Sequence, residues 1–212
     1  QILYRFVQAA PENELAMSAL VTGNAAAGKP VSKDIYELDR PVFLVGFMGA
    51  GKTSVARKLA RMAGVASVDM DTYIERCEHK RVKEIFAEVG EDGFRAIETQ
   101  TLYELGMKKD PMVVSCGGGV ILRPENRKAL SELGLVVYLS VTAAEAASRI
   151  SDVSSRPLFG DLQNAQRVID ERLPLYEEVA DVTIDTVGRG SSSIAHEVFD
   201  ILKEKGVLWQ QK

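Results

Sequence analysis

The order of apolar and amphipathic segments predicts an α/β fold, with a parallel sheet covered by helices on both faces. Two observations carry this. From Pro41 onward, short apolar runs alternate with longer segments of helical periodicity, an alternation that implies right-handed crossovers between parallel strands. The first apolar run empties into Gly46-Phe47-Met48-Gly49-Ala50-Gly51-Lys52-Thr53, the G-x-x-x-x-G-K-[ST] phosphate loop that belongs between a strand and a helix.

In chain order, residues 42–45 are the first strand and 53–62 the helix behind the loop. Residues 65–68 form a short strand closing on Asp69-Met70-Asp71. Helix begins over 72–77 and continues over 82–89 and 93–107. Residues 112–115 are a buried strand followed by Gly117-Gly118-Gly119. Residues 135–139 are another strand, with helix behind it over 143–150. Residues 163–179 are helical, although Pro174 should kink that helix or end one there. The last strand is 182–184 and the last helix 193–205.

Residues 1–40 differ from the rest. Residues 2–7 suit a strand or a helix start, 12–20 carry a weak helical pattern, and 22–30 read as a flexible linker. The expected division is therefore an extension over 1–40, with no chemistry assigned, and one domain over 41–212. The other reading of 1–40 is the tail of a fused upstream domain. The chain opens on Gln1 without an initiator Met, which fits a processed or truncated piece of a longer protein.

A length of 212 residues with 46% hydrophobic content suits one α/β domain with a sizeable core and a modest extension. A net charge of −4, without a basic stripe, argues against a nucleic-acid platform. No apolar run reaches the length of a membrane span and no signal peptide is visible. The two cysteines, Cys77 and Cys116, lie in unlike contexts without metal-ligand spacing, which fits a reducing cytoplasm.

Backbone N–H groups of the glycine-rich loop cradle phosphate oxygens, and the following helix adds the positive end of its dipole. Gly49, Ala50, Gly51, Lys52, Thr53 and Ser54 are the candidate run for binding a nucleoside triphosphate. Lys52 reaches the β- and γ-phosphates and the Thr53 hydroxyl ligates Mg²⁺. Two glycine turns sit at the carboxyl ends of two different strands, where α/β sheets place their ligand crevice. A nucleotide and a second ligand are expected to meet there.

Asp69 and Asp71 stand two apart at a strand end and project to the same side. One suits Mg²⁺ beside Thr53, and the other suits a substrate hydroxyl. The competing reading is a helix N-cap, for Asp71 more than for Asp69. Arg95 and Glu98, three apart, share a helix face and read either as site residues or as a surface ion pair. Arg156 lies in a polar stretch expected to be a mobile loop, as an arginine finger in cis or a solvated charge. Arg172 carries the same two readings. Cys116, in an apolar strand, reads as a buried and inert thiol.

Together, GFMGAGKT (46–53), DMD (69–71), GFRAIE (93–98), SCGGG (115–119), SRPLF (155–159) and ERLPLY (171–176) resemble the shikimate kinase family in order and spacing across 41–205. The resemblance implies a three-layer αβα, P-loop NMP-kinase-like fold with a five-stranded parallel sheet and a mobile lid near 151–163. It implies transfer of the ATP γ-phosphoryl group to the 3-hydroxyl of shikimate, in the route to chorismate and the aromatic amino acids. By position it makes Lys52, Asp71 and Arg156 catalytic, and puts Thr53 and Asp69 on Mg²⁺. It aligns Asp71 with the shikimate hydroxyls, Arg95 and Arg172 with the shikimate carboxylate, and Gly117, Gly118 and Gly119 with the ring. Phe86, Phe94, Glu98, Pro157 and Leu158 fall on the pocket wall, Arg156 on the lid and Arg149 near adenine.

The guanidinium fork matches a carboxylate, and a carboxylate accepts from hydroxyls, so the residue types suit that acceptor. The implied partners are ATP and shikimate, with no nucleic acid or membrane, in a cytoplasmic monomer. The stretch 186–190 departs from the family in lacking a proline where adenine packs, and 1–40 has no counterpart in the minimal family. The alternatives are a gluconate or other small-metabolite kinase on the same fold, and a non-catalytic nucleotide-binding module.

Overall fold

The computed structural model describes residues 36–149 and 162–210. It runs β1 (Tyr36–Leu38), β2 (Val42–Val45), α1 (Lys52–Ala63), β3 (Ser67–Asp69), α2 (Met70–Glu78), α3 (Val82–Gly106) and β4 (Val113–Ser115). A 3₁₀ turn (Val120–Leu122) then leads to α4 (Pro124–Leu133), β5 (Leu135–Ser140), α5 (Ala143–Arg149), α6 (Leu162–Val179), β6 (Val182–Asp185), α7 (Ser191–Glu204) and β7 (Leu208–Gln210). The segments 2–7, 12–20 and 22–30 lie outside the described residues.

Strands β2 to β6 form one five-stranded sheet in the order β3-β4-β2-β5-β6, and every neighbouring pair is parallel. This is the predicted architecture. Side chains alternate along each strand, so β2 sends Val42 and Leu44 to one face, and Phe43 and Val45 to the other. The first face packs on Val55 and Leu59 of α1 and on Ile194, Val198 and Leu202 of α7. The second packs on Leu102 and Leu105 of α3, Leu130 of α4 and Tyr176 of α6. All four β2 side chains are fully buried, which is why the strand reads as an unbroken apolar run. Each is worth about 1.5–3 kcal/mol of burial.

Helix α3 is two helical pieces joined at Gly90, whose φ of 70° and ψ of −177° leave the helix. The break falls between the two segments separated in the sequence. Ile74 of α2 joins Ile85, Phe94 and Ile97 of α3 in a small separate cluster. Helix α6 continues past Pro174. That residue lies on an exposed face, so water can meet the carbonyl that loses its partner.

Two features were not predicted. Helix α4 fills the interval before β5, with Pro124 in its first turn. Strands β1 and β7 pair antiparallel, Tyr36 with Gln210 and Leu38 with Leu208, so residues 36–38 of the expected extension lie against the end of the domain.

Candidate active site

The chain leaves β2 at Val45, loops over residues 46–51 and enters α1 at Lys52. Gly46 has a φ of 144°, and a Cβ there would strike the Leu139 carbonyl oxygen. Gly51, with a φ of 91°, is the N-cap of α1 and brings no side-chain cap. Both conformations favour glycine. The first N–H groups of α1 thus keep their capacity for phosphate oxygens. Lys52 Nζ donates to the carbonyls of Gly46 at 2.7 Å and Phe47 at 3.0 Å, which folds the ammonium over the loop.

The loop opens on a cleft of about 720 Å³. Every described residue expected in the site lines it: Gly49 through Ser54, Asp69, Asp71, Phe86, Phe94, Arg95, Glu98, Gly117, Gly118, Gly119, Arg149 and Arg172. Arg156, Pro157 and Leu158 lie outside the described residues, as does the expected lid as far as residue 161. Strand order divides the cleft into three parts. The P-loop stands in the middle, after β2. Asp69, Asp71 and the glycine triplet follow β3 and β4 on one flank, while Arg149 and Arg189 follow β5 and β6 on the other.

Asp69 joins β3 to α2. Its Oδ1 accepts from Thr72 N at 3.1 Å and Thr72 Oγ1 at 3.1 Å, which makes Asp69, and not Asp71, the N-cap. Its Oδ2 accepts from Thr53 Oγ1 at 2.7 Å and Ser115 Oγ at 3.2 Å. The parallel register that sets Asp69 beside Ser115 creates this junction. Asp71 sits in the first turn of α2, exposed at the cleft.

Thr53 and Asp69 are hard oxygen donors in contact at the foot of the P-loop, a donor set that suits Mg²⁺. The described residues hold no cluster of three or more Asp, Glu, His or Cys side chains that could cage a metal by themselves. Mg²⁺ characteristically takes one or two protein oxygens and completes its shell with phosphates and water.

On the acceptor flank, Arg95 Nη1 donates to Glu98 Oε2 at 2.8 Å. Glu98 is 1% exposed and the Arg95 side chain 13%, so this is a buried pair and not a surface one. The Arg95 guanidinium lies 5.5 Å from the Phe94 ring centre and 6.0 Å from that of Phe86, and the two rings stack at 4.3 Å. Burial pushes the Glu98 carboxyl up to about 7, against the pull of Arg95 and with a smaller push from Asp71.

The glycine triplet has little room for side chains. A Cβ at Gly117 would lie 2.8 Å from Glu98 Oε1 and 3.0 Å from Asp71 Oδ1; one at Gly119 would lie 2.6 Å from Arg95 Cζ. Arg172 reaches the triplet from α6, with Nη1 3.4 Å from the Gly118 carbonyl oxygen, which also accepts from Tyr176 Oη at 2.6 Å. Cys116 is buried, and burial pushes its thiol up, as an inert core cysteine requires.

Three participants escaped the sequence reading: Ser115 beside Asp69, Tyr176 beneath Gly118, and Arg189 in the cleft wall. Ser115 and Tyr176 stand inside the SCGGG and ERLPLY strings, but only strand register and helix packing give them partners.

A family model described as shikimate kinase matches residues 48–203. A shikimate kinase of Actinobacillus succinogenes is 40% identical over 167 residues, 77% of this chain and 95% of that protein. Among solved structures, a shikimate kinase from Acinetobacter baumannii in complex with shikimate is 36% identical. Its TM-score is 0.73, with 78% of this chain and 94% of that one covered. A shikimate kinase from Bacteroides thetaiotaomicron is 30% identical with a TM-score of 0.70, covering 77% of this chain and 98% of that one.

Proposed function

The chain belongs to the shikimate kinase family, and from that premise we propose that its cleft transfers the ATP γ-phosphoryl group to the 3-hydroxyl of shikimate, giving shikimate 3-phosphate and ADP. The observation that carries this reading is one cleft holding a P-loop beside two arginines, an exposed aspartate and a tight glycine triplet. A small hydroxylated carboxylate matches that acceptor flank.

Arg95 and Arg172 take the acceptor carboxylate, Arg95 already oriented by Glu98 and the two rings. Asp71 accepts from the ring hydroxyls and takes the proton of the attacking one. The acceptor oxygen bonds to the γ-phosphorus as the bond to the bridging β,γ-oxygen breaks, and ADP departs with that electron pair. Such a transition state is loose, so alignment and charge neutralisation contribute most. Lys52 turns from the Gly46 and Phe47 carbonyls to the phosphates, and Arg156 adds its charge from the lid. Thr53 and Asp69 would hold Mg²⁺, which supplies further neutralisation of the β- and γ-oxygens. Arg149 stands at the nucleoside end.

Both cysteines are free thiols, which supports a cytoplasmic setting for the aromatic biosynthetic route. No helix among the described residues is long and apolar enough to cross a membrane.

The test is ADP release measured with shikimate, gluconate and nucleoside monophosphates as acceptors. Shikimate alone is expected to sustain turnover. Release that is indifferent to shikimate overturns the reading.

A further inference from the structure

The flank of the cleft beyond β5 and β6 is organised by a side chain that never reaches it. Thr186 follows β6, is fully buried and is absent from the cleft wall. Its backbone N–H donates to the Ser140 carbonyl at 3.1 Å, and its Oγ1 donates to that same carbonyl at 2.8 Å. The hydroxyl oxygen then accepts from Arg149 Nη1 at 3.1 Å. Arg149 Nη2 donates to the Thr186 carbonyl oxygen and, at 3.3 Å, to that of Arg189. Glu145 Oε1, one turn back on α5, lies 2.8 Å from Nη2 and also accepts from Gly188 N at 3.3 Å. The guanidinium edge is thus clamped by the end of β5, its own helix and the 186–190 loop. The Arg149 side chain remains 23% exposed, in the cleft wall.

We infer that Thr186 is a positioning residue for the nucleotide, setting the plane of Arg149 through its buried hydroxyl. The inference rests on the reading of Arg149 at the nucleoside end. The strand order supports that end independently, because acceptor residues occupy the opposite flank of the P-loop. A flat, pre-oriented guanidinium offers its face to a planar base at little cost in rotamer freedom. A hydroxyl both donates to the Ser140 carbonyl and accepts from Arg149 through one oxygen atom, which no aliphatic side chain of this size can do. A methyl group in its place leaves the Ser140 carbonyl with the Thr186 backbone N–H alone, strips Arg149 Nη1 of its acceptor and loosens that edge of the guanidinium, which is then held only through Nη2.

The experiment compares Thr186→Val, Thr186→Ala and Thr186→Ser with Arg149→Ala and the Thr186→Val/Arg149→Ala double variant. Michaelis constants are measured separately for ATP and shikimate, with thermal midpoints alongside. Loss of the hydroxyl is expected to raise KM for ATP about tenfold, the scale of one lost hydrogen bond to a charged group. KM for shikimate should hold, Thr186→Ser should keep the wild-type value, and the double variant should be no worse than Arg149→Ala. If Thr186→Val does not fold, Thr186→Ala removes the same hydroxyl without a buried γ-methyl. A lower thermal midpoint with both Michaelis constants unchanged overturns the proposal, as does full additivity in the double variant. If Arg149→Ala itself leaves KM for ATP unchanged, the placing of Arg149 at the nucleotide falls instead, and the proposal falls with it.

Discussion

Glu98 and Arg95 form a buried pair that is unevenly satisfied. Arg95 Nη1 donates to Glu98 Oε2 at 2.8 Å, while Glu98 Oε1 and Arg95 Nε are buried without a partner among the described residues. The pair therefore keeps hydrogen-bonding capacity for an acceptor molecule, and one of its members sits close to neutral pH.

The Glu98 carboxyl takes up its proton near pH 7 in the folded chain, against an ordinary value of 4.5. Between those values the unfolded chain has lost a proton that the folded chain keeps, so this group's contribution falls as pH rises and levels off above about 7. The full loss should come to about 3 kcal/mol, at about 1.4 kcal/mol per pH unit. Urea unfolding of the wild type and of Glu98→Gln at pH 5 and pH 8 checks it. Stabilities that move in parallel would show that Glu98 is not the titrating group.

Arg95→Ala and Arg172→Ala should each raise KM for shikimate by at least about tenfold, because a charge-assisted contact to the carboxylate is lost. KM for ATP should hardly move. Steady-state kinetics with each substrate varied in turn separates the two. An unaltered KM for shikimate in both variants removes the carboxylate grip from the account.

Lys52→Ala should lower kcat by about 10²–10³, the scale of removing one preorganised donor to developing charge. Asp71→Asn should lower kcat by about 10²–10⁴ while ATP binding is retained. Titration calorimetry with ATP distinguishes the aspartates. If Asp71→Asn abolished ATP binding and spared shikimate, Asp69 and Asp71 would have exchanged roles.

Gly119→Ala probes the same wall from the backbone. Its φ is not in the left-handed region, so the backbone tolerates alanine and the added methyl must displace the Arg95 guanidinium. A folded protein with KM for shikimate raised by about tenfold or more is expected. Wild-type kinetics would mean that the arginine has room to give way.

The sheet and the P-loop were legible because they are local. Fully buried strands spell themselves as apolar runs, and the phosphate loop is one contiguous string. The N-cap reading leaned toward Asp71 over Asp69 because both precede a helical pattern, and only the backbone decides which is the last extended residue. The buried state of Arg95 and Glu98 was hidden, since helical spacing reveals a shared face but not what covers it. Ser115 and Thr186 act across strand registers that join distant parts of the chain. Helix α4 was missed because only Asn126, Ala129 and Leu130 of its ten residues are buried, too few for a clear stripe. Three-residue strands such as β1 and β7 are too short to show alternation.

The pairing of β1 with β7 has a kinetic consequence. It joins Leu38 to Leu208, and closing so long a loop carries the largest entropic cost of any strand pair in the fold. The pair is a two-stranded sheet of its own, outside the hydrogen-bonded ladder of the five parallel strands. This clasp should close last during folding and open first during fluctuation, so amide hydrogens of Leu38 and Leu208 should exchange well before those of Leu44 and Val137.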